Sequence, residues 1–252
     1  MKNVLIVGYG VVGHNLAQEI AKLNPDIYDK YKTEHNTKRN IKYDLAFICV
    51  DTPYNEKGYC DLSAVESAIQ ETNADIIVIK STILPGTTLT YQQQFPMKKI
   101  VFSPEYYGGT QHCNNFEFDF TVLGGYRPDC CQVVQYLQEV YDARHKFYMT
   151  DSTTAELTKY MENSWLATKV SFCCQFYELA NQLGVDYEEL RELFLLDERV
   201  NPAHTFVYEE HPFWSSHCLN KDVPAIAYTY DAPFLQNVIE FNNSQKEKYK
   251  KE

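Results

Sequence analysis

The chain has 252 residues, 44% of them apolar and 23% charged, which suits one large domain or two small ones and excludes a largely disordered chain. Its formal net charge of -11 argues against nucleic-acid binding, because most of the surface would repel a polyanion. No apolar run reaches membrane-spanning length, so we expect a cytoplasmic protein that is not bound to a membrane.

The first predicted element is the apolar strand Val4–Val7, which leads directly into the turn Gly8-Tyr-Gly10-Val-Val-Gly13 and a helix. In this pattern the first glycine lets the chain turn, the second lets the backbone approach a pyrophosphate, and the third lets the helix pack on the strand. We therefore predict a dinucleotide site, the alternative being a structural turn that binds nothing.

A second short strand begins at Asp26, and Asp29 lies about twenty residues from the glycines, where a carboxylate accepts from a ribose 2′-hydroxyl. This favours NAD over NADP, although Lys30 and Lys32 leave the choice open. The residues of this part of the chain that we expect to contact NAD are Gly8, Gly10, Val11, Val12, Gly13 and Asp29.

Strands and helices go on alternating to about residue 148, as an α/β protein with a doubly wound parallel sheet requires. Apolar runs at 44–50, 74–79 and 99–102 each end in polar residues. The carboxyl ends of parallel strands face the cofactor crevice, so these residues are candidate ligands, although each could equally cap a loop. The candidates are Val50, Thr52, Ser81, Thr82 and Glu105.

From residue 149 the pattern changes to one long helix, with a capping box predicted at Thr153-Thr-Ala-Glu156 and a stop at Gly184. The helix is apolar on nearly every side, so we expect a homodimer through residues 155–183. Lys159 and Asn163 are four residues apart and share a face. A lone lysine here would reach for solvent, but paired with an amide it is a candidate to bind a substrate oxygen.

The segment Cys218-Leu-Asn-Lys221-Asp222 places a thiol beside a lysine and a carboxylate. A helix predicted to begin between Asn220 and Pro224, together with Lys221, favours the reactive thiolate of Cys218. The alternative is an inert thiol. All eight cysteines are expected to be thiols rather than a disulfide framework, and their spacing does not suggest a metal site.

These motifs together resemble the UDP-glucose 6-dehydrogenase family, including its GDP-mannose and UDP-N-acetylhexosamine relatives. The matching pieces, in chain order, are Gly8-x-Gly10-x-x-Gly13, Cys49-Val-Asp-Thr-Pro53, Lys80-Ser-Thr82, Ser103-Pro-Glu105, Lys159-x-x-x-Asn163, Asp197-Glu-Arg199-Val and Cys218-x-x-Lys221-Asp222. The resemblance implies an NAD-binding Rossmann domain at residues 1–148 and an all-helical dimerisation domain at 149–252, with a long central helix.

The resemblance also implies an activity, the four-electron oxidation of a sugar C6 alcohol to the acid with NAD. Cys218 attacks the intermediate aldehyde, and the thiohemiacetal is oxidised to a thioester that water hydrolyses. Lys159 and Asn163 stabilise the developing oxyanion.

Other matching residues receive supporting roles from the resemblance. Asp222 and Thr82 hold the water used in proton transfer and hydrolysis, while Glu105 assists as acid or base. Lys221 lies near the nicotinamide, and Arg199 reaches a substrate phosphate. The residues expected to contact substrate are Glu105, Lys159, Asn163, Arg199 and Cys218.

The chain departs from the family pattern in several places. Pro212-Phe-Trp214-Ser-Ser-His217 replaces glycines, and we expect its side chains to crowd a hexose. Gly109 replaces a second glutamate, and Asn220 replaces a proline. Residues 29–44 are too few for the usual helix and strand of a Rossmann half. The family continues past the last residue of this sequence into a second Rossmann-like domain that holds the nucleotide of the sugar nucleotide.

Three hypotheses follow. The chain is a minimal nucleotide-sugar dehydrogenase, or it oxidises a different small alcohol or aldehyde that needs no nucleotide grip, or it is a non-catalytic NAD-binding protein. Retention of the chemical residues favours an enzyme. Cys218 in particular counts against a simple two-electron reaction, because related β-hydroxyacid dehydrogenases share the helical lysine and asparagine but lack the thiol.

Overall fold

A computed structural model describes residues 3–35, 41–54, 60–107 and 118–250. The chain divides into two compact units, and among the described residues the first runs to Lys159 and the second starts at Tyr160. Both units share one long helix that begins at Ser152. The predicted domain boundary at residue 148 therefore stays a prediction. Gly109, where a glutamate was expected, lies outside the described residues.

The first unit is built on a sheet whose seven described strands have the order β2-β1-β3-β4-β5-β6-β7. The strands are β1 (Val4–Val7), β2 (Asp26–Tyr28), β3 (Tyr43–Ile48), β4 (Ala74–Ile79), β5 (Lys99–Phe102), β6 (Phe120–Gly124) and β7 (Lys146–Thr150). Neighbouring strands are parallel except β5 and β6, which pair antiparallel through Phe102 and Gly124. The predicted α/β class is confirmed, while β7 was not predicted.

Helices cover both faces of this sheet, which is why its central strands are continuous apolar runs. The helices are α1 (Val11–Glu19), α2 (Ser63–Glu71), α3 (Thr87–Gln94) and α4 (Arg127–Leu137). Ile6 and Phe47 pack with residues of α1 and α4 in one core. Leu5 and Ile48 pack with residues of α2 and α3 in the other. This is the doubly wound arrangement expected from the sequence.

The short connection after β2 also agrees with the sequence. Between Tyr28 and Tyr43 the described residues form only a 3-10 turn at Thr33–His35, and β1 pairs directly with both β2 and β3. The usual helix and strand of this Rossmann half are therefore missing from the described part of that connection.

The described residues of the second unit form helices and loops. The helices are α5 (Ser152–Leu183), which the two units share, α6 (Tyr187–Phe194), α7 (His217–Thr229) and α8 (Pro233–Lys248). Ala167, Val223 and Ile239 belong to the core that these helices enclose. None of the helices in the described ranges combines the length and the hydropathy that crossing a bilayer requires.

Trp214 belongs to this helical core and corrects one expectation. Its side chain is only 5% exposed, and its indole N–H donates to Ser171 Oγ at 3.0 Å. Asn242 of α8 fixes the Trp214 backbone, accepting from its N–H at 2.9 Å and donating to its carbonyl at 3.0 Å. For Trp214 the predicted crowding of a bound hexose is therefore wrong, because packing within the helical unit turns the indole inward, while for the rest of the segment 212–217 it stays a prediction.

The start of α5 corrects another expectation. Asp151 Oδ1 accepts the N–H of Thr154 at 2.9 Å, so Asp151 caps the helix. Glu156 instead accepts from the N–H groups of Gly86 at 2.6 Å and Thr88 at 2.8 Å, at the N-terminus of α3. The predicted capping box is wrong, because its glutamate serves a different helix. The predicted stop is confirmed, since Gly184 has a φ of 69°.

Candidate active site

In the glycine-rich turn between β1 and α1, each glycine is present for a different reason. Gly8 has a φ of +91°, and a Cβ there would lie 2.7 Å from the carbonyl oxygen of Cys49. A Cβ on Gly13 would overlap the carbonyl oxygen of Gly8, whereas one on Gly10 would meet nothing within 4 Å. The protein's own packing thus requires Gly8 and Gly13. Gly10 leaves open backbone at a helix N-terminus, which fits a pyrophosphate.

Asp29 lies at the end of β2, beside this turn. Its carboxylate accepts from Tyr9 N–H at 2.7 Å and from Tyr31 N–H at 2.8 Å. Partial burial raises the pKa of Asp29, but these backbone donors and the nearby Lys32 charge outweigh that effect and leave it lowered. Asp29 is therefore an ionised acceptor next to the turn, where a ribose contact was predicted.

The first turn of α1 presents Val11, which is 70% exposed, and Val12, which is half-buried. The candidate ligands on the next strands are fixed by each other. Ser81 Oγ donates to the carbonyl of Val50 at 2.6 Å, and Thr52 Oγ1 donates to that of Thr82 at 2.9 Å. Both hydroxyl protons therefore join the ends of β3 and β4, so neither hydroxyl donates to a ligand in this arrangement.

Glu105 follows β5 and forms an ion pair with Lys80, which follows β4. Lys80 Nζ lies 3.1 Å from Glu105 Oε2, and the two side chains are 9% and 14% exposed. Glu105 Oε1 accepts from Tyr106 N–H at 2.7 Å. No role for Lys80 was predicted from the sequence, although a lysine directly after a buried strand and ahead of Ser81 and Thr82 was a usable signal.

Lys159 is buried on α5, with Nζ 5.2 Å from the ring centroid of Tyr106. A cation over an aromatic face is stabilised by the ring quadrupole. The first unit thus places Lys159 over the residue that follows Glu105 in the chain. Lys159 does not reach solvent, as a lone lysine on such a helix would.

The second unit joins Asn163 of α5 to Asp222 of α7. Asn163 Nδ2 donates to Asp222 Oδ2 at 2.7 Å, and Lys221 Nζ donates to Asp222 Oδ1 at 2.6 Å. Asn163 and Asp222 are 3% and 2% exposed. An amide, a carboxylate and an ammonium therefore form one hydrogen-bonded group, which we call the amide–carboxylate cluster. A buried polar group of this kind is stable only when its members satisfy one another.

Cys218 lies in the first turn of α7 and is exposed. The helix begins at His217, and Ser216 caps it by accepting the N–H of Leu219 at 3.3 Å. The predicted start between Asn220 and Pro224 is wrong by about one turn, because the Ser216 cap was not recognised. The thiol is thus inside the positive end of the helix, a position that favours a thiolate.

Within the described residues, the Arg199 guanidinium binds Asp197 and not the amide–carboxylate cluster. The pair lies on the surface, with Nη2 2.6 Å from Oδ2. A phosphate would have to compete with this carboxylate. The predicted phosphate contact stays a prediction.

The first unit has the architecture of an NAD-binding Rossmann domain. Residues 26–145 match the NAD binding domain of the UDP-glucose/GDP-mannose dehydrogenase family, and residues 153–244 match its central domain. The chain belongs to this family, and the prediction of NAD as its cofactor is confirmed.

Named relatives agree with this assignment. GDP-mannose 6-dehydrogenase of Pseudomonas syringae pv. tomato is 30% identical over 226 residues, which cover 80% of this chain and 51% of that protein. UDP-glucose 6-dehydrogenase of Rickettsia typhi is 27% identical over 282 residues, covering 94% and 63%. A UDP-glucose dehydrogenase structure from Pyrobaculum islandicum superposes with a TM-score of 0.79 at 23% identity, covering 97% and 68%. The chain thus spans about half to two thirds of these proteins.

Proposed function

We propose that this chain is an NAD-dependent nucleotide-sugar dehydrogenase, which oxidises a sugar C6 alcohol to the acid through Cys218. The observation that carries the proposal is the amide–carboxylate cluster, in which Asn163 Nδ2 donates to Asp222 at 2.7 Å. Asp222 lies four residues after the exposed thiol of Cys218 on the same helix, α7. The relatives named GDP-mannose and UDP-glucose 6-dehydrogenase support the substrate class.

The first oxidation takes the alcohol to the aldehyde. Gly10 and the N-terminus of α1 would hold NAD, which would supply the hydride acceptor, and one NAD⁺ would be used for each of the two oxidations. The hydroxyl proton passes to a base, for which Glu105 and a water held by Asp222 and Thr82 are the proposed groups. Lys159 and Asn163 stabilise the negative charge that develops on the sugar oxygen.

The second oxidation requires Cys218. Its sulfur bonds to the aldehyde carbon, and protonation of the oxygen gives a thiohemiacetal. Loss of a hydride and a proton leaves a thioester, and water then breaks the C–S bond to release the acid and restore the thiol. Overall, one alcohol, one water and two NAD⁺ become one carboxylate, two NADH and three protons.

The geometry around Asn163 suits its proposed role. Nδ2 carries two N–H groups, and the bond to Asp222 fixes the amide with one of them. The second N–H is then oriented without further loss of side-chain freedom, so it can donate to an oxyanion. Preorganised donors of this kind act most strongly where water is excluded.

We also propose a homodimer through residues 155–183. Large apolar side chains of α5 recur at helical spacing and are at least one-third exposed in the single chain: Leu157, Met161, Trp165, Phe172, Phe176, Leu179 and Leu183. A stripe of this kind is stabilised by a partner helix. Trp165→Glu is expected to give a monomer by light scattering, while Glu240→Gln on α8 should leave the mass unchanged. A wild-type monomer at micromolar concentration would contradict the dimer.

The decisive experiment counts NADH per sugar consumed, with UDP-glucose, UDP-N-acetylhexosamines and GDP-mannose as substrates. The wild type is expected to form two NADH per sugar. Cys218→Ser should form no more than one, because the thioester cannot form. Cys131→Ser is a matched control, since that thiol contacts Met149 in the first unit.

If the chain binds NAD but oxidises none of these sugars, the proposal is wrong. A panel of small alcohols and aldehydes then separates a different substrate from a non-catalytic NAD-binding protein. Iodoacetamide labelling gives an independent readout. Cys218 should react faster than the other thiols and be protected by NAD if it takes part in catalysis.

A further inference from the structure

Lys80 is a buried cation to which neither the family resemblance nor the proposed mechanism gives a role. It follows β4, and its ammonium lies 3.4 Å from Ser103 Oγ, 3.3 Å from the Pro104 carbonyl and 3.1 Å from Glu105 Oε2. These three acceptors are consecutive residues of one loop, and they match the three N–H donors of an ammonium group. The lysine therefore organises the Ser103–Glu105 loop.

The contact with Glu105 fixes that carboxylate at both oxygens. Lys80 binds Oε2, while Oε1 accepts the N–H of Tyr106 at 2.7 Å. The ring of Tyr106 lies in turn 5.2 Å from Lys159 Nζ. One buried lysine thus fixes the carboxylate of the proposed acid–base group, and that carboxylate binds the backbone of the residue whose ring lies beside the proposed oxyanion-binding lysine.

Cys49 does not compete for this cation. Burial raises the pKa of its thiol to about 12, the Lys80 charge opposes this shift and the Glu105 charge adds to it. Cys49 is therefore a neutral thiol, and Glu105 remains the anion that pairs with Lys80. A buried charge needs such a partner to be tolerated at all.

We propose that Lys80 is a positioning residue, which holds Glu105 in the orientation that proton transfer requires. This inference rests on the proposed function for its kinetic consequence, but not for its structural one. Positional errors of about 1 Å in a catalytic group lower rates by about a hundredfold. Loss of Lys80 is therefore expected to lower kcat by about ten- to a hundredfold, and to change the KM for NAD by less than about threefold.

A double-mutant cycle tests whether Lys80 acts through Glu105. Lys80→Met, Glu105→Gln and the double variant are compared in kcat and KM. If the proposal is correct, Lys80→Met lowers kcat in the wild-type background but adds nothing to Glu105→Gln. Lys80→Arg, which keeps the charge, should recover at least part of the loss. Multiplicative effects of the two single changes would overturn the proposal.

Amide hydrogen exchange tests the same idea without turnover. The Tyr106 N–H, bonded to Glu105, should exchange faster in Lys80→Met. The control is Lys98→Met. Lys98 is a half-buried lysine whose Nζ binds the carbonyls of Ile69 and Thr72 at 2.6 Å each, acceptors that lie far from Glu105 and Tyr106 in the sequence. That control should leave the Tyr106 amide unchanged.

The two readouts separate the two proposals. If no sugar is oxidised but Tyr106 exchange responds to Lys80→Met alone, the proposed function fails and the positioning role stands. If exchange is unchanged, or responds equally to Lys98→Met, the positioning role is wrong. Should Lys80→Met not fold, Lys80→Gln removes the charge but keeps a polar N–H donor at the site, and the same criteria apply.

Discussion

The glycine-rich turn of the first unit and the amide–carboxylate cluster of the second are built in opposite ways. In the turn, backbone geometry makes the site, since a side chain at Gly8 or Gly13 would overlap neighbouring backbone. In the cluster, side chains make the site, and Asn163 and Asp222 meet across 59 residues of sequence. The turn tolerates no added atom at Gly8 or Gly13, whereas the amide–carboxylate cluster tolerates no lost partner.

The largest effect is expected from Gly13→Ala. The new Cβ would overlap the carbonyl oxygen of Gly8, so the chain must shift, and we expect a loss of about 3 kcal/mol of unfolding free energy together with NAD binding. Gly10→Ala is the matched change, because a Cβ there meets nothing within 4 Å.

Gly10→Ala should therefore change stability by less than about 1 kcal/mol but weaken NAD binding by at least about tenfold, equal to about 1.4 kcal/mol. Denaturant titration and calorimetric NAD binding measure the two quantities. Normal NAD affinity in Gly10→Ala would show that the open backbone at Gly10 does not face the cofactor.

Asp222→Ala probes the side-chain site. It removes the acceptor of both Asn163 and Lys221, and the buried amide of Asn163 is left without that bond. We expect the free energy of unfolding to fall by about 2 kcal/mol, since Lys221 can turn toward water but the buried Asn163 cannot. Asp222→Asn keeps an oxygen acceptor and should cost about half as much. Equal stabilities of the two variants by urea denaturation would contradict this account.

The same contrast decides what the sequence could predict. The turn and the strands could be predicted from local patterns, because the glycine spacing follows from backbone sterics and the apolar runs follow from burial of both faces of the sheet. Glu156 was assigned to its own helix, yet its partners Gly86 and Thr88 are 70 and 68 residues away. Trp214 was expected to face the substrate, but its direction depends on Ser171 and Asn242. Partners so distant in sequence leave no local pattern.

Glu156 gives a prediction for pH. Burial raises the pKa of Glu156 above its ordinary value of 4.5, although the amides of Thr88 and Gly86 oppose this shift. The folded state then binds a proton more tightly than the unfolded state, so stability falls as pH rises from 4.5 through the raised pKa. Wild type should lose stability relative to Glu156→Gln over this window. Glu240→Gln, which replaces an exposed glutamate on α8, is the control and should follow the wild-type stability across this window. A stability difference between wild type and Glu156→Gln that does not change with pH would refute the prediction.

The smallest effect is expected at the start of α5, where the sequence predicted Thr153 as the cap and the structure has Asp151. Asp151 accepts from both the N–H and the hydroxyl of Thr154, and these bonds lower the pKa of Asp151. Asp151→Ala should therefore lower the free energy of unfolding by about 1 kcal/mol, while Thr153→Ala should change it by less than about 0.5 kcal/mol.

The Asp151 cap also predicts a dependence on pH. Because the pKa of Asp151 is lowered in the folded state, its contribution to stability is present above the ordinary pKa of 3.8 and is lost as pH falls below that value. Asp151→Ala should thus approach wild type in acid, as measured by thermal unfolding across pH. If Thr153→Ala lowered the stability more than Asp151→Ala, the capping box predicted from the sequence would be supported and the assignment of Asp151 as the cap would be wrong.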